Sequence, residues 1–292
     1  MTLAKLVPLA IQLSMAIVIF CVALNARFTD VVFLLRRPGL LLRSLVSMLL
    51  VMPLYAVTMA RLFDLNLAVE IALVASALSP VPPILPGKQI KAGGKSSYVI
   101  GLLMVTALVS VLYVPLVATT IGRYFDKVVE VDYGSILAIV ATSMLLPVLA
   151  GMLVRKLAPA LAQRIDAPLS TAANVVLLIA CVPIVIKEWP AMLALIGNYS
   201  IVAMIAFALV GLFVGHWLGG PDPDDRSVLA MATAAHHPAV ALAITHNTAD
   251  RPGVMAAVLM TLVVAAVVTA PYMKWRVRGH ADDLPQDPSH AS

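Results

Sequence analysis

The stretch Ser79-Pro-Val-Pro-Pro-Ile-Leu-Pro86 carries four prolines within eight residues, inside a long apolar segment. An α-helix cannot run through such a stretch, because each proline lacks a backbone donor and clashes with the preceding turn. A second interruption, His236-His237-Pro238, lies in another apolar segment. Together they predict two broken helices. The expected break positions are Pro80, Pro82, Pro83, Pro86 and Pro238.

The composition around these stretches is that of a membrane protein. Of 292 residues, 61% are hydrophobic and 12% are charged, and the mean hydropathy is +0.98. A soluble domain is closer to half apolar and a quarter charged. The net charge of +5 is expected from basic loops at one membrane face and needs no nucleic acid as partner. The two cysteines have neither a disulfide pattern nor metal-ligand spacing.

The apolar runs predict an all-α polytopic membrane protein with nine transmembrane helices. Their expected ranges are 6–26, 40–62, 68–86, 97–122, 133–154, 168–187, 196–218, 226–248 and 252–274. Each interruption is third in a set of four, so the order is four spans (about 6–122), a linker helix (about 133–154) and four spans (about 168–276). This 4+1+4 order predicts an inverted repeat, in which two broken helices cross near the bilayer midplane. Residues 1–278 would form a single transmembrane domain.

The distribution of Lys and Arg predicts the orientation. With the N-terminus outside, thirteen basic residues fall on the cytoplasmic side and six on the other, leaving Lys88 unassigned. We therefore expect a multi-pass protein of the inner (plasma) membrane with a cytoplasmic C-terminus. Residues 279–292, rich in Asp, Pro, His and Ser, are expected to be a disordered cytoplasmic tail.

From about residue 6 to 276 the chain resembles the bile acid:sodium symporter family. The resemblance rests on Arg36-Arg37-Pro38-Gly39 at the start of a helix, on Met52-Pro53 within it, and on the segments Leu73–Pro80 and Ala239–His246. It implies a panel and a core subdomain, with two crossing broken helices around a sodium and substrate site. Nine spans would correspond to the form that lacks an extra N-terminal helix.

The chain departs from that family where the resemblance would place sodium ligands. Leu85-Pro86 stands where the family has a Ser-Asn pair, Ala232 where it has a Glu, and His236-His237 where it has Gln-Asn. The fifteen acidic residues all fall at segment ends, in loops or in the tail. Because hard cations need oxygen ligands, sodium coupling of the usual kind is not expected. Coupling to protons, or no coupling, is expected instead, and no cofactor or resident metal.

Five residues are candidates for substrate binding: Lys88, Ser79, Thr233, His236 and His237. A helix starting near Lys88 would direct its N-terminus and this cation toward the crossover, favouring an anion; alternatively, Lys88 belongs to an ordinary basic loop. One histidine would be proton-sensitive or donate to the substrate; alternatively, it is neutral and pairs with a carbonyl freed by Pro238. Ser79 and Thr233 would line the site or satisfy carbonyls at the breaks.

These features predict a secondary transporter, and no enzyme motif is present. The expected substrate is a small or amphipathic organic anion, moved across the lipid bilayer by alternating access. The alternative is a membrane sensor or scaffold that keeps the fold without transport. The sequence does not indicate an oligomeric state.

Overall fold

The computed structural model describes residues 3–125, 129, 131–245 and 253–282, with residues 3–5 and 280–282 described by their backbone only. Within these residues the chain forms α-helices joined by turns and two π-helical segments. The elements are α1 Leu3–Leu24, α2 Phe28–Val31, α3 Pro38–Leu45, a π-helix Val46–Val51, α4 Met52–Leu62, α5 Leu67–Leu78, α6 Leu85–Lys91, α7 Ser96–Tyr124, α8 Tyr133–Val140, a π-helix Ala141–Leu145, α9 Leu146–Leu157, α10 Pro159–Ala194, α11 Ser200–Leu218, α12 Pro223–Ala234, α13 Pro238–Ile244 and α14 Val254–Asp282.

The polytopic all-helical fold is confirmed. Eight helical stretches of the described residues are long and apolar enough to cross a membrane, one of them being α12 and α13 taken together. The remaining predicted span is divided into α5, of 12 residues, and α6, of 7 residues. Both predicted interruptions are therefore real ends of helices, and each predicted apolar segment contains a helix or a broken pair.

Some boundaries differ from those expected. The helix α10 has 36 residues and includes Pro168, Pro183 and Pro190, so it is far longer than the predicted 168–187. Membrane helices tolerate such prolines because neighbouring groups satisfy the carbonyls that proline frees. The helix α14 continues to Asp282, so the first four residues of the predicted tail are helical, and 283–292 lie outside the described residues.

Prolines also explain the two π-helical segments. Pro53 and Pro147 are each the second residue after a π-helix, where they leave the carbonyl four residues earlier without its helical donor. For Pro53 this is the carbonyl of Leu49, which instead accepts a bond of 2.5 Å from the hydroxyl of Tyr113 on α7. The extra residue of a π-turn rotates the preceding side chains around the helix, and such turns are frequent at functional sites.

The helices pack into two groups. We call α1, α8, α9 and α10 the panel bundle, because α1 makes its most extensive contacts with α10 and α9. We call α3–α7 and α11–α14 the core bundle, in which α11 packs on α12 and α14, and α5 packs on α4, α13 and α14. The bundles touch through fewer contacts, among them α1 with α6, α8 with α13 and α10 with α14. Both broken helices belong to the core bundle.

The outer surface of the bundles is apolar. Leu178, Ile179 and Ile186 of α10 are each at least 65% exposed, as are Phe213 and Trp217 of α11. Contiguous exposed apolar surface of this extent would be a liability in water. It is the expected surface of helices that face lipid.

Glycines bring α11 and α12 into backbone contact. A Cβ at Gly211, Gly215 or Gly219 would lie 2.4–2.8 Å from a backbone atom of α12. The spacing of four residues places Gly211 and Gly215 on one face of α11, and Gly219, the residue after its last turn, continues that line. Small residues at such a spacing allow membrane helices to approach closely and gain van der Waals contact.

Acidic residues at the start of α12 are held by cations from other helices. Asp222 caps α12 by accepting from the backbone of Asp224, and Lys95, at the start of α7, forms an ion pair with Asp222. The buried Asp225 lies 3.8 Å from Lys95 and 3.9 Å from Arg37. The hydrogen bond from Lys95 lowers the pKa of the Asp222 carboxyl below its usual range. The positive end of the helix dipole also favours these carboxylates.

The glycine contact predicts that Gly→Ala substitutions at two positions affect stability differently. Gly215→Ala places a methyl 2.5 Å from the Leu229 carbonyl oxygen, so we expect the free energy of unfolding to fall by about 1–3 kcal/mol. Gly39→Ala, where nothing lies within 4 Å, should leave stability unchanged or raise it by up to about 1 kcal/mol. Thermal unfolding in detergent measures both. Equal melting temperatures for the two variants would show that α11 and α12 do not pack this closely.

Candidate functional site

The two helix breaks have the same local cause. Ser79 (φ −85°, ψ 146°) and His237 (φ −81°, ψ 107°) are extended, and each precedes a proline, which disfavours helical geometry in the residue before it. Pro80, Pro82 and Pro83 follow in a non-helical stretch between α5 and α6. Pro238 is the first residue of α13, a position where proline's missing N–H costs nothing.

The breaks meet each other directly. The backbone N–H of His237 donates to the Ser79 hydroxyl oxygen at 3.1 Å, and that hydroxyl donates in turn to the Ser76 carbonyl at 2.7 Å. Ser79 is 4% exposed and His237 is 1% exposed. We call this junction of residues 79 and 235–238 the crossover. One serine thus joins the two broken helices: its hydroxyl satisfies the free N–H of His237 and adds a second bond to the Ser76 carbonyl, which also accepts from the Ser79 N–H.

The π-helices direct serines to the same place. Ser47, in the first π-helix, hydrogen-bonds to the hydroxyl of Thr233 at 2.7 Å, just before the second break. The hydroxyl of Ser143, in the second π-helix, lies 3.3 Å from Nε2 of His237, which is the last non-helical residue of that break. Because the Ser143 hydroxyl donates to the Ile139 carbonyl at 2.6 Å, its oxygen accepts from His237. The proton of neutral His237 is therefore on Nε2.

This proton assignment leaves Nδ1 of His237 as a buried lone pair without a hydrogen-bond partner among the described residues. A buried polar atom without a partner is rare and costs free energy, which makes it a candidate functional group. Ser143 belongs to the panel bundle and His237 to the core bundle. The histidine therefore lies at the boundary between the two bundles.

His236 points away from this boundary. Its ring lies 4.9 Å from the ring of Phe207 on α11, and its Nε2 also has no partner among the described residues. It lines a cavity of about 10 Å³ with Ser76 and Thr261, which is room for one water molecule. Adjacent residues of a continuous helix point in different directions. Residues 235–237 are not helical, and both histidines are buried.

Lys88 is not at the start of a helix. The helix α6 begins at Leu85, with Pro86 in its first turn rather than in the break, and Lys88 lies near the middle of its seven residues. Its side chain is exposed, whereas that of the next residue, Gln89, is buried and donates to the Val228 carbonyl at 2.8 Å. The structure thus brings together Ser79, Thr233, His236 and His237 and leaves Lys88 on the surface.

The residues at the expected sodium positions do not supply the family's ligands. Ala232 is fully buried, Leu85 is 6% exposed, and neither has a side-chain oxygen. Among the residues that the structure describes, no group of three His, Cys, Asp or Glu side chains could hold a metal ion.

Two serines beside the crossover, Ser47 and Ser143, were not predicted from the sequence. Each is a serine in an apolar run, four or six residues before a proline. A polar residue just before a proline in a membrane helix is a usable signal, because the freed carbonyls and the altered turn mark an irregular site. Phe207, which packs on His236, had no such signal.

The serine junction predicts a specific loss of stability. Ser79→Ala leaves the His237 N–H unpaired inside the membrane, so we expect the free energy of unfolding to fall by about 1–2 kcal/mol. Ser110→Ala is the matched control, because among the described residues the buried Ser110 hydroxyl bonds only to the Ala107 carbonyl of its own helix. Thermal unfolding of the purified variants measures the difference. If Ser110→Ala were as destabilising as Ser79→Ala, the bond between the breaks would contribute no more to the free energy of unfolding than a bond within one helix.

The comparison with known proteins agrees with this architecture. Residues 12–189, more than half of the chain, match the model of the sodium bile acid symporter family. No curated protein matches the chain. A polytopic helical fold, two helices broken at prolines and this match lead to one conclusion: the chain belongs to the sodium bile acid symporter family.

Proposed function

We propose that the protein is a secondary transporter of a small or amphipathic organic anion. The observation that carries the proposal is the direct bond between the two helix breaks, His237 N–H to Ser79, in a member of a symporter family. In secondary transporters, the place where two broken helices meet inside the membrane is where the substrate binds. The lipid bilayer and a small-molecule substrate are the partners of such a protein.

We infer transport by alternating access between the panel and core bundles. The contacts between the bundles are fewer than those within each, so relative movement would break few contacts. The core bundle would carry the crossover, and substrate would bind at the boundary beside it. The inverted 4+1+4 repeat and the orientation with the N-terminus outside are parts of this proposal.

Lys88 supplies the charge in this proposal. Its exposed side chain is one turn into α6, the helix that follows the first break. The neighbouring Gly87 lies close to Val22 of α1, which places this part of α6 beside the panel bundle. A cation at that boundary would attract an anion toward the crossover.

His237 is the group that we propose to couple transport to protons. A proton on its unpaired Nδ1 would give the ring a second donor and a positive charge. An anion bound beside a protonated imidazole forms a neutral pair, which enters a low-dielectric region at lower cost than the anion alone. Ser79 and Thr233 would hold the breaks in place around this pair. Sodium is the less favoured coupling ion, because the crossover offers it no carboxylate among the described residues.

The role of Lys88 predicts a loss of anion affinity. Lys88→Ala should raise the half-saturating concentration for uptake into liposomes about tenfold, as expected for the loss of one charge pair at a bilayer surface. Lys91→Ala is the matched control, since Lys91 is also exposed but lies one turn further along α6. Unchanged affinity in Lys88→Ala would remove this lysine from the site.

The role of His237 predicts which histidine sets the pH dependence of uptake. Wild-type uptake should rise several-fold as the pH falls, because the protonated form of His237 is the one that pairs with the anion. His237→Gln keeps a donor for Ser143 but cannot be protonated, so its uptake should be independent of pH. His236→Gln, facing Phe207, should keep the wild-type profile. The opposite result would assign the coupling to His236.

Thermal shifts test the class of substrate and the coupling ion together. A bound ligand raises the melting temperature by mass action. A bile salt, benzoate and acetate would be compared in sodium and in potassium buffers. A shift that is equal in both salts supports the proposal, and one that needs sodium contradicts the proposed coupling.

Failure of every anion to enter liposomes would favour the non-transporting sensor or scaffold.

A further inference from the structure

A second, larger cavity lies inside the core bundle, apart from the crossover. It measures about 150 Å³, is partly open to its surroundings, and lies between α4, α5, α7 and α13. Its walls are apolar, including Ile71, Val74 and Leu78 of α5, Ala118 and Ile121 of α7, and Ile244 of α13. A cavity of about this volume holds a ligand the size of benzene.

One carboxylate lines this apolar cavity. Glu70 lies near the start of α5, is partly buried, and forms no ion pair within the described part of the chain. Arg61, at the end of α4, is engaged elsewhere. It donates to the Tyr124 carbonyl at 2.7 Å, and its guanidinium lies over the rings of Tyr124 and Phe125, 4.3 and 4.4 Å from their centroids. Glu70 therefore faces the cavity without a countercharge from Arg61.

Glu70 lies in the first turn of α5, where the helix dipole offsets part of the cost of a partly buried carboxylate. It lies one turn from Asn66, which caps α5 by accepting from the Ala68 N–H. The positive end of a helix stabilises a negative charge there. Partial burial and the negative charge of Asp64 still disfavour a bare carboxylate, so a cation that enters the cavity would gain from pairing with it.

We propose that this cavity binds a small organic cation, an ammonium group attached to an apolar body of about six to eight heavy atoms. The apolar walls would take the body, and the Glu70 carboxylate would take the ammonium group. An inorganic cation needs several oxygen ligands, which these walls do not offer. An anion would be repelled by Glu70.

Such a ligand would touch both broken helices. Leu78 is the last residue of α5 before the first break, and Ile244 is the last residue of α13 after the second. An occupant of the cavity would therefore pack between the two helices that meet at the crossover. This site is separate from the proposed anion site, and it does not depend on the protein being a transporter.

Calorimetry on the full chain in lipid nanodiscs tests the proposal, with empty nanodiscs subtracted. The probe is benzylammonium, and benzyl alcohol is its uncharged analogue of similar size. We expect wild-type protein to bind benzylammonium at least tenfold more tightly than benzyl alcohol, and Glu70→Gln to lose that preference. Glu188→Gln, a carboxylate variant on α10 outside this cavity, should behave as wild type.

A cavity-filling variant keeps the test decisive if Glu70→Gln does not fold. Val74→Phe places an aromatic ring in the cavity while keeping the carboxylate, so it should abolish binding of both probes. Equal affinity of wild-type protein for the two probes would overturn the proposal, because Glu70 would then contribute nothing. Absence of binding to wild-type protein would overturn it as well, as would unchanged binding in Val74→Phe. Uptake of anions has no bearing on any of these outcomes.

Discussion

The structure depends on how it satisfies the backbone groups freed where two membrane helices break. In a hydrocarbon environment no water compensates for an unpaired N–H or carbonyl, so an interruption is stable only where protein supplies the partners. Here a single hydroxyl, that of Ser79, accepts from His237 and donates to Ser76. The two π-helices place Ser47 and Ser143 against the same region. The breaks are thus supported from both bundles, and each support comes from a small polar side chain.

Much of this architecture follows from short-range rules. Four prolines between residues 80 and 86 cannot be helical throughout, and the sequence predicts that break and the one before Pro238. The helix ends differ at Pro86 and in α10 because proline is tolerated in a first turn and within long membrane helices. The rule that proline breaks a helix does not say on which side of the last proline the next helix begins.

The partners of the site residues could not be predicted in the same way. The pairing of Ser143 with His237 joins residues 94 positions apart, and it depends on how the panel bundle lies against the core bundle. The exposure of Lys88 and the burial of Gln89 depend on which face of α6 meets α12. Sequence patterns identify residues that are unusual for their surroundings. Tertiary packing decides which of them meet.

The length of α10 has a consequence for the way the panel bundle sits in the bilayer. At 1.5 Å per residue its 36 residues extend about 54 Å, whereas the hydrocarbon layer is about 30 Å thick. Tilt alone does not absorb such a difference, so part of the helix lies among the lipid headgroups. Its first turns carry Arg164 and Asp166, and Asp166 accepts from Asn25 at the end of α1. We therefore expect this helical extension to anchor the panel bundle at the water–lipid interface and to resist its displacement along the bilayer normal.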